Sequence, residues 1–168
     1  MGAWGIKECQ SDHGLDLLEI IILEQLRKVD FATFNISEAS ELLRQGTSNE
    51  IEQHKQRKRP PELSKFYLET LTQDFTHAAV LLAECLADYY QTGELIVYEY
   101  VGENCDLVEH RIKNFIVTNA DLDPLLKVLQ TVQKPEHWLY QSWYGESTRQ
   151  EWLTHIRAVY KTLSEHLF

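Results

Sequence analysis

Glu62-Leu-Ser-Lys-Phe-Tyr-Leu-Glu-Thr-Leu-Thr-Gln-Asp-Phe-Thr-His-Ala-Ala-Val-Leu-Leu-Ala-Glu-Cys-Leu-Ala-Asp-Tyr-Tyr-Gln-Thr92 is the longest regular stretch of the chain. Its apolar residues recur at Leu63, Phe66 or Tyr67, Leu71, Phe75, Ala78 or Ala79, Leu82, Leu86 and Tyr89 or Tyr90. That period, near ~3.6, places them along one face of a helix. Pro60 and Pro61 stand before it as start signals and Gly93 after it as a stop. A helix of this length must bury its stripe against other helices or a sheet.

Outward toward the N-terminus, Ser11 and Asp12 are good N-cap residues for a helix over 11–28. Leu15, Leu18, Ile22, Leu26 and Val29 supply its stripe, widened by Leu17 and Ile21. Ser37 is placed to cap a short helix carrying Ala39, Leu42 and Leu43, closed by Gly46. The segment 47–61 is polar and ends in a basic run, Lys55, Arg57, Lys58 and Arg59, before the proline pair. It reads as a solvated loop, because no aromatic residue interleaves the charges as single-strand readers require.

Toward the C-terminus, 94–101 (Glu-Leu-Ile-Val-Tyr-Glu-Tyr-Val) breaks the helical pattern with β-branched and aromatic residues. A lone strand needs a partner and the pattern supplies none, so strand and non-strand both stay open. Leu107, Val108, Arg111, Ile112, Phe115 and Ile116 return to helical spacing. Asp123 followed by Pro124 predicts a helix start, running to about Gln133 ahead of Pro135. Ser147-Thr148-Arg149-Gln150 matches a capping box for a last helix buried through Trp152, Ile156, Val159 or Tyr160, Leu163 and Leu167. The expected fold is mainly α: one compact helical domain over 1–168, a bundle with a short β segment near 94–101 and the basic loop at 47–61.

The 168 residues suit one domain, and 43% hydrophobic with 25% charged residues is a globular composition. Sixteen basic against 26 acidic side chains give a formal charge of -10. Such a field repels phosphate backbones and suits a basic protein partner. Three cysteines at wide spacing make no disulfide framework, and a reduced cytoplasmic protein is expected. The N-terminus lacks the basic and apolar regions of a signal peptide. The most apolar window, 15–26, is interrupted by Asp16, Glu19 and Glu24 and is too short to span a bilayer.

Motifs of chemistry are sparse. Seven histidines form no His-x-x-x-His or His-Glu-x-x-His pair, so the spacing that marks zinc sites is missing. No Gly-x-Ser-x-Gly or phosphate-cradling loop occurs. Glu38 with Glu41, and Glu103 with Asp106, have the spacing by which helical pyrophosphohydrolases hold magnesium, yet both fall outside the long helices. Catalytic, cofactor and metal residues are therefore expected to be none, with a metal-dependent hydrolase on these four carboxylates as the alternative. A late aromatic cluster, Trp138, Tyr140, Trp143, Tyr144 and Trp152, suits either a core or an interface. The interface version is a homo-oligomeric scaffold.

Gly2, Trp4 and Gly5 of the opening Met-Gly-Ala-Trp-Gly, with Asp12 and Asp16 ahead of an apolar helix, resemble a bacterial family catalogued as domain of unknown function 4259. The end of the chain, from Ser142-Trp143 through Trp152-Leu153 to Leu163, is similar to that family's Trp-containing last helix. Cys9 and Ser11 depart from the family's usual Phe and Asn. The resemblance implies no established activity, though genes of this kind are suspected of being immunity or accessory genes beside bacterial toxins. A structural role for the motif follows from its residue types: glycines allow tight backbone around Trp4, and Asp12 can cap the helix. The expected function is a non-enzymatic, cytosolic binding protein, an immunity protein that covers a basic toxin. Glu99, Glu103, Asp106 and Glu109 form the densest acidic stretch and are the expected partner-facing residues. No nucleic acid, membrane or cofactor is expected to bind.

Overall fold

In the computed structural model the described residues are 5–18, 22, 33–37, 62–102 and 104–167; of these, 12–13, 33–34 and 62–74 are described by their backbone alone. The chain is mainly α with a short β part. A 3-10 turn, Glu8–Gln10, leads into α1, Asp12–Leu18. There follow β1 (Thr33–Asn35), the long α2 (Glu62–Thr92), β2 (Leu95–Val101), β3 (Asp106–Ile112) and β4 (Asn114–Ile116). The order ends with α3 (Asn119–Val132), α4 (Trp138–Ser142) and α5 (Glu146–Ser164). The expected helix over 37–46 and the basic loop at 47–61 lie outside the described residues, apart from Ser37.

Helix α2 forms where its period predicted and ends at Gly93, whose φ of 81° takes the chain out of the helix. From Ala78 to Ala87 it is buried on nearly every side: Ala78, Val80, Leu81, Leu82, Ala83, Cys85, Leu86 and Ala87 all lie in the core. A helix apolar all round is an internal one. Helices α3 and α5 pack against α2 and each other, and α1 and the 3-10 turn cover a further part of it. From α3 come Leu122, Leu125, Leu126, Leu129 and Val132, and from α5 Trp152, Leu153, Ile156, Val159 and Leu163. The α5 face is the expected one, except that Leu167 beyond the helix is exposed. In α1, Leu17 is buried while Leu15 faces out, which turns the expected stripe slightly. Phe75 is likewise exposed rather than core.

The segment expected to return to helical spacing is a strand instead. Strand β3 pairs antiparallel with β2 from Leu95 opposite Ile112 to Val101 opposite Asp106. Its apolar residues fit a helix on paper, but Gly102 and Cys105 take left-handed φ values of 75° and 52° and turn the chain back on itself. This supplies the partner that 94–101 lacked, so that segment is a strand. Beyond Lys113, β4 pairs in parallel with β1, Phe34 opposite Phe115. The ring of Phe115 rests 4.8 Å from Tyr89 of α2, and the Tyr89 hydroxyl donates to the Lys113 carbonyl at 3.2 Å.

Two helix starts also move. Helix α3 begins at Asn119, ahead of the expected Asp123. The Asp121 carboxylate accepts from the Thr118 N–H at 2.9 Å, the Thr118 hydroxyl at 2.8 Å and the Ser37 hydroxyl at 2.6 Å, which anchors the first turn. Burial raises the Asp121 carboxyl, but these donors outweigh it and hold the group below its ordinary value. Pro124 sits inside the helix and, lacking an N–H, forfeits the bond to the carbonyl of exposed Ala120. Helix α5 begins at Glu146, directly after Gly145 with φ 81°, so Ser147 lies inside the helix and does not cap it.

Candidate functional site

The N-terminal motif folds onto the buried middle of α2. Ser11 is the cap of α1: its hydroxyl accepts from the Gly14 N–H at 2.9 Å and donates to the Glu8 carbonyl at 2.9 Å. Asp12, offered by sequence for that role, is the first helical residue instead. A Cβ on Gly14 would run into the Glu8 carbonyl, so only glycine lets α1 close on the preceding turn. Of the other motif residues, Gly5 is half-buried and Asp16 is exposed, while Gly2 and Trp4 lie outside the described residues.

Under this turn six ionisable side chains meet. Glu84 of α2 is buried, with its Oε2 accepting from the Glu8 N–H at 2.8 Å and its Oε1 2.7 Å from His155 Nε2 of α5. Glu8, also buried, brings its own Oε1 to 2.7 Å from His77 Nδ1. Lys7 reaches Asp88 one turn beyond Glu84, at 2.8 Å. Three elements are thus tied through one carboxylate. Burial raises the Glu84 carboxyl above its ordinary value, against the opposing pull of His155. Cys9 beside it is pushed up to about 11 by burial, with Glu84 adding to the effect. Cys85 is raised well above the usual thiol value, again chiefly by burial. Thiols held neutral are poor nucleophiles, so the imidazoles here have no activated sulfur to serve. The group is suited to fastening the N-terminal turn to the core.

Sequence reading singled out none of Glu8, His77, Glu84 and His155. Glu84 alone left a trace there, as a single carboxylate within the apolar run Ala78–Ala-Val-Leu-Leu-Ala-Glu-Cys-Leu-Ala87. Such a residue is buried only with partners.

The acidic stretch takes a different form from the one expected. Alternation along the hairpin sends Leu95, Val97, Glu99 and Val101 to one face, with Asp106, Val108, His110 and Ile112 opposite them. This face turns to the body: Leu95, Val97, Glu99 and Ile112 are buried, and Glu99 lies 2.8 Å from His110 Nε2. Glu99 is therefore not an exposed acid, because its strand position points it inward. Glu109 lies on the other face, exposed, with Arg111 Nε at 2.6 Å. Asp106 is exposed at the start of β3, and Glu103 lies outside the described residues.

On the outer face of the hairpin, Ile96, Tyr98 (51% exposed), Tyr100 (72%) and Leu107 (55%) stand in water beside Glu109 and Arg111. An apolar, aromatic group this exposed is the usual mark of an interaction surface. The late aromatic cluster is mostly core: Trp152 is buried, Trp138, Tyr140 and Trp143 pack on the core, and Trp143 stacks on Trp152 at 5.7 Å. Tyr144 remains 92% exposed.

The alternative carboxylate set is not assembled in the described part. Glu38, Glu41 and Glu103 lie outside it, and Asp106 is the first residue of β3 rather than a position on a helix face. Among the described residues no three His, Cys, Asp or Glu side chains are grouped to hold a metal ion. Among them, too, no helix is long and apolar enough to cross a membrane. No family model, curated protein or solved structure matches the chain.

Proposed function

We propose that this is a non-enzymatic binding protein that neutralises a basic protein by covering it, as an immunity protein neutralises a toxin. The outward face of the β2–β3 hairpin supports this reading: Tyr98, Tyr100 and Leu107 are exposed together on a chain of net charge -10. Tyrosines carry much of the binding energy in protein interfaces, and opposite charge raises the encounter rate. Membership of the Met-Gly-Ala-Trp-Gly family, a cytosolic location and a bundle arrangement of α2, α3 and α5 belong to the same proposal.

The test is to purify the tagged chain at low salt from a host that expresses it naturally and to titrate the basic protein that accompanies it. Reversing Asp106 and Glu109 to Lys is expected to weaken binding at least about tenfold, roughly 1.4 kcal/mol. The melting temperature should move little, since both side chains are exposed. Unchanged affinity in the double variant, with the fold intact, would remove the acidic hairpin from the reading.

A further inference from the structure

The hairpin changes character along its length. Near the body its inner face is covered, with Leu95, Val97, Glu99 and Ile112 all buried. At Glu99 the cover ends: Val108, its cross-strand neighbour, is 36% and Val101, the next residue on that inner face, 37% exposed, while Tyr100 and Leu107 are exposed on the outer one. The three residues from Glu99 to the turn at Gly102 span roughly 10 Å of strand. A two-stranded ribbon with apolar side chains in water on both sides is marginal by itself.

We propose that this distal ribbon inserts into a cleft of a basic protein partner, which covers both of its faces. The inference rests on the binding reading above and specifies its mode. Docking by the outer face alone would leave Val101 and Val108 in water, whereas a cleft buries them with Tyr100 and Leu107. Charge selects the occupant. Between 94 and 112 Arg111 is the only Lys or Arg, and Glu94 and Glu109 already engage it. Asp106 at the exposed end adds negative charge. A second copy of the chain would bring another net charge of -10 to the same place, so a basic surface is the better fit.

The experiment places the photo-cross-linker benzoylphenylalanine at Tyr100 on the outer face, at Val108 on the inner face, and at exposed Tyr144 as an off-site control. The chain is irradiated in its native host, and captured protein is identified by mass. The same basic protein is expected from positions 100 and 108 and not from 144. With that purified pair, Leu107→Ser and Val108→Ser should each weaken binding about tenfold. Capture from 100 alone, together with wild-type affinity for Val108→Ser, would overturn insertion and leave one-sided binding standing. Capture of an acidic protein would overturn the choice of partner. No capture from either face would overturn both this inference and the binding reading.

Discussion

Glu84 shows what one residue must satisfy to sit inside an apolar helix. A buried carboxylate stripped of a partner costs about 3–5 kcal/mol. Here it keeps the Glu8 N–H and the His155 imidazole. Because burial raises its folded value above 4.5, the folded chain holds this proton to higher pH than the unfolded chain does. The resulting stabilisation is complete below the ordinary carboxylate value and is lost as pH rises through the raised one. Glu84→Gln stays neutral throughout, so its cost in urea unfolding should be largest near pH 4 and shrink toward pH 8. A cost that grows with pH would mean that the ionised pair is the stabilising form. The thiols give a second check. At pH 8 a thiol raised to about 11 is almost wholly protonated, so Ellman's reagent should react quickly with exposed Cys105 and slowly with Cys9 and Cys85. Cys105→Ser should abolish the fast phase, and a fast phase that survives would contradict the burial of the other two.

At the scale of elements, the chain shows where pattern reading holds and where it fails. Helix α2 was legible because its period runs unbroken for many turns and a glycine closes it. Nothing crowds Gly93, so its cost in another residue is that of the left-handed φ alone. Gly93→Ala is expected to cost about 1–2 kcal/mol, and Gly93→Asn less, because asparagine tolerates this region. The corresponding fall in melting temperature is roughly 2–8 °C for alanine; equal loss in both variants would point instead to a lost contact. Strand β3 misled because Leu107, Val108, Arg111 and Ile112 satisfy a helical period by accident. What decided it was the turn at Gly102 and Cys105, which brought β2 within pairing distance and converted an open β segment into half of a hairpin. Helix α3 began early for a similar reason, since Asp121 finds donors at Thr118 and, far away in sequence, at Ser37.

For the molecule as a whole, sequence by itself determined the mainly helical class, the long central helix, the buried face of α5 and the acidic balance. These follow from composition and local period, which any window of the chain displays. Only the tertiary structure decided which charges are spent and which are offered. Glu99, read as part of an acidic surface, is turned inward onto His110, and His155 finds Glu84 across 71 positions of chain. The same packing leaves Tyr100 and Leu107 in water at the end of a ribbon that local pattern did not predict. Burial and ion pairing depend on which distant segments meet, and a hairpin's two faces exist only once its strands are in register. Period and composition hold no record of either.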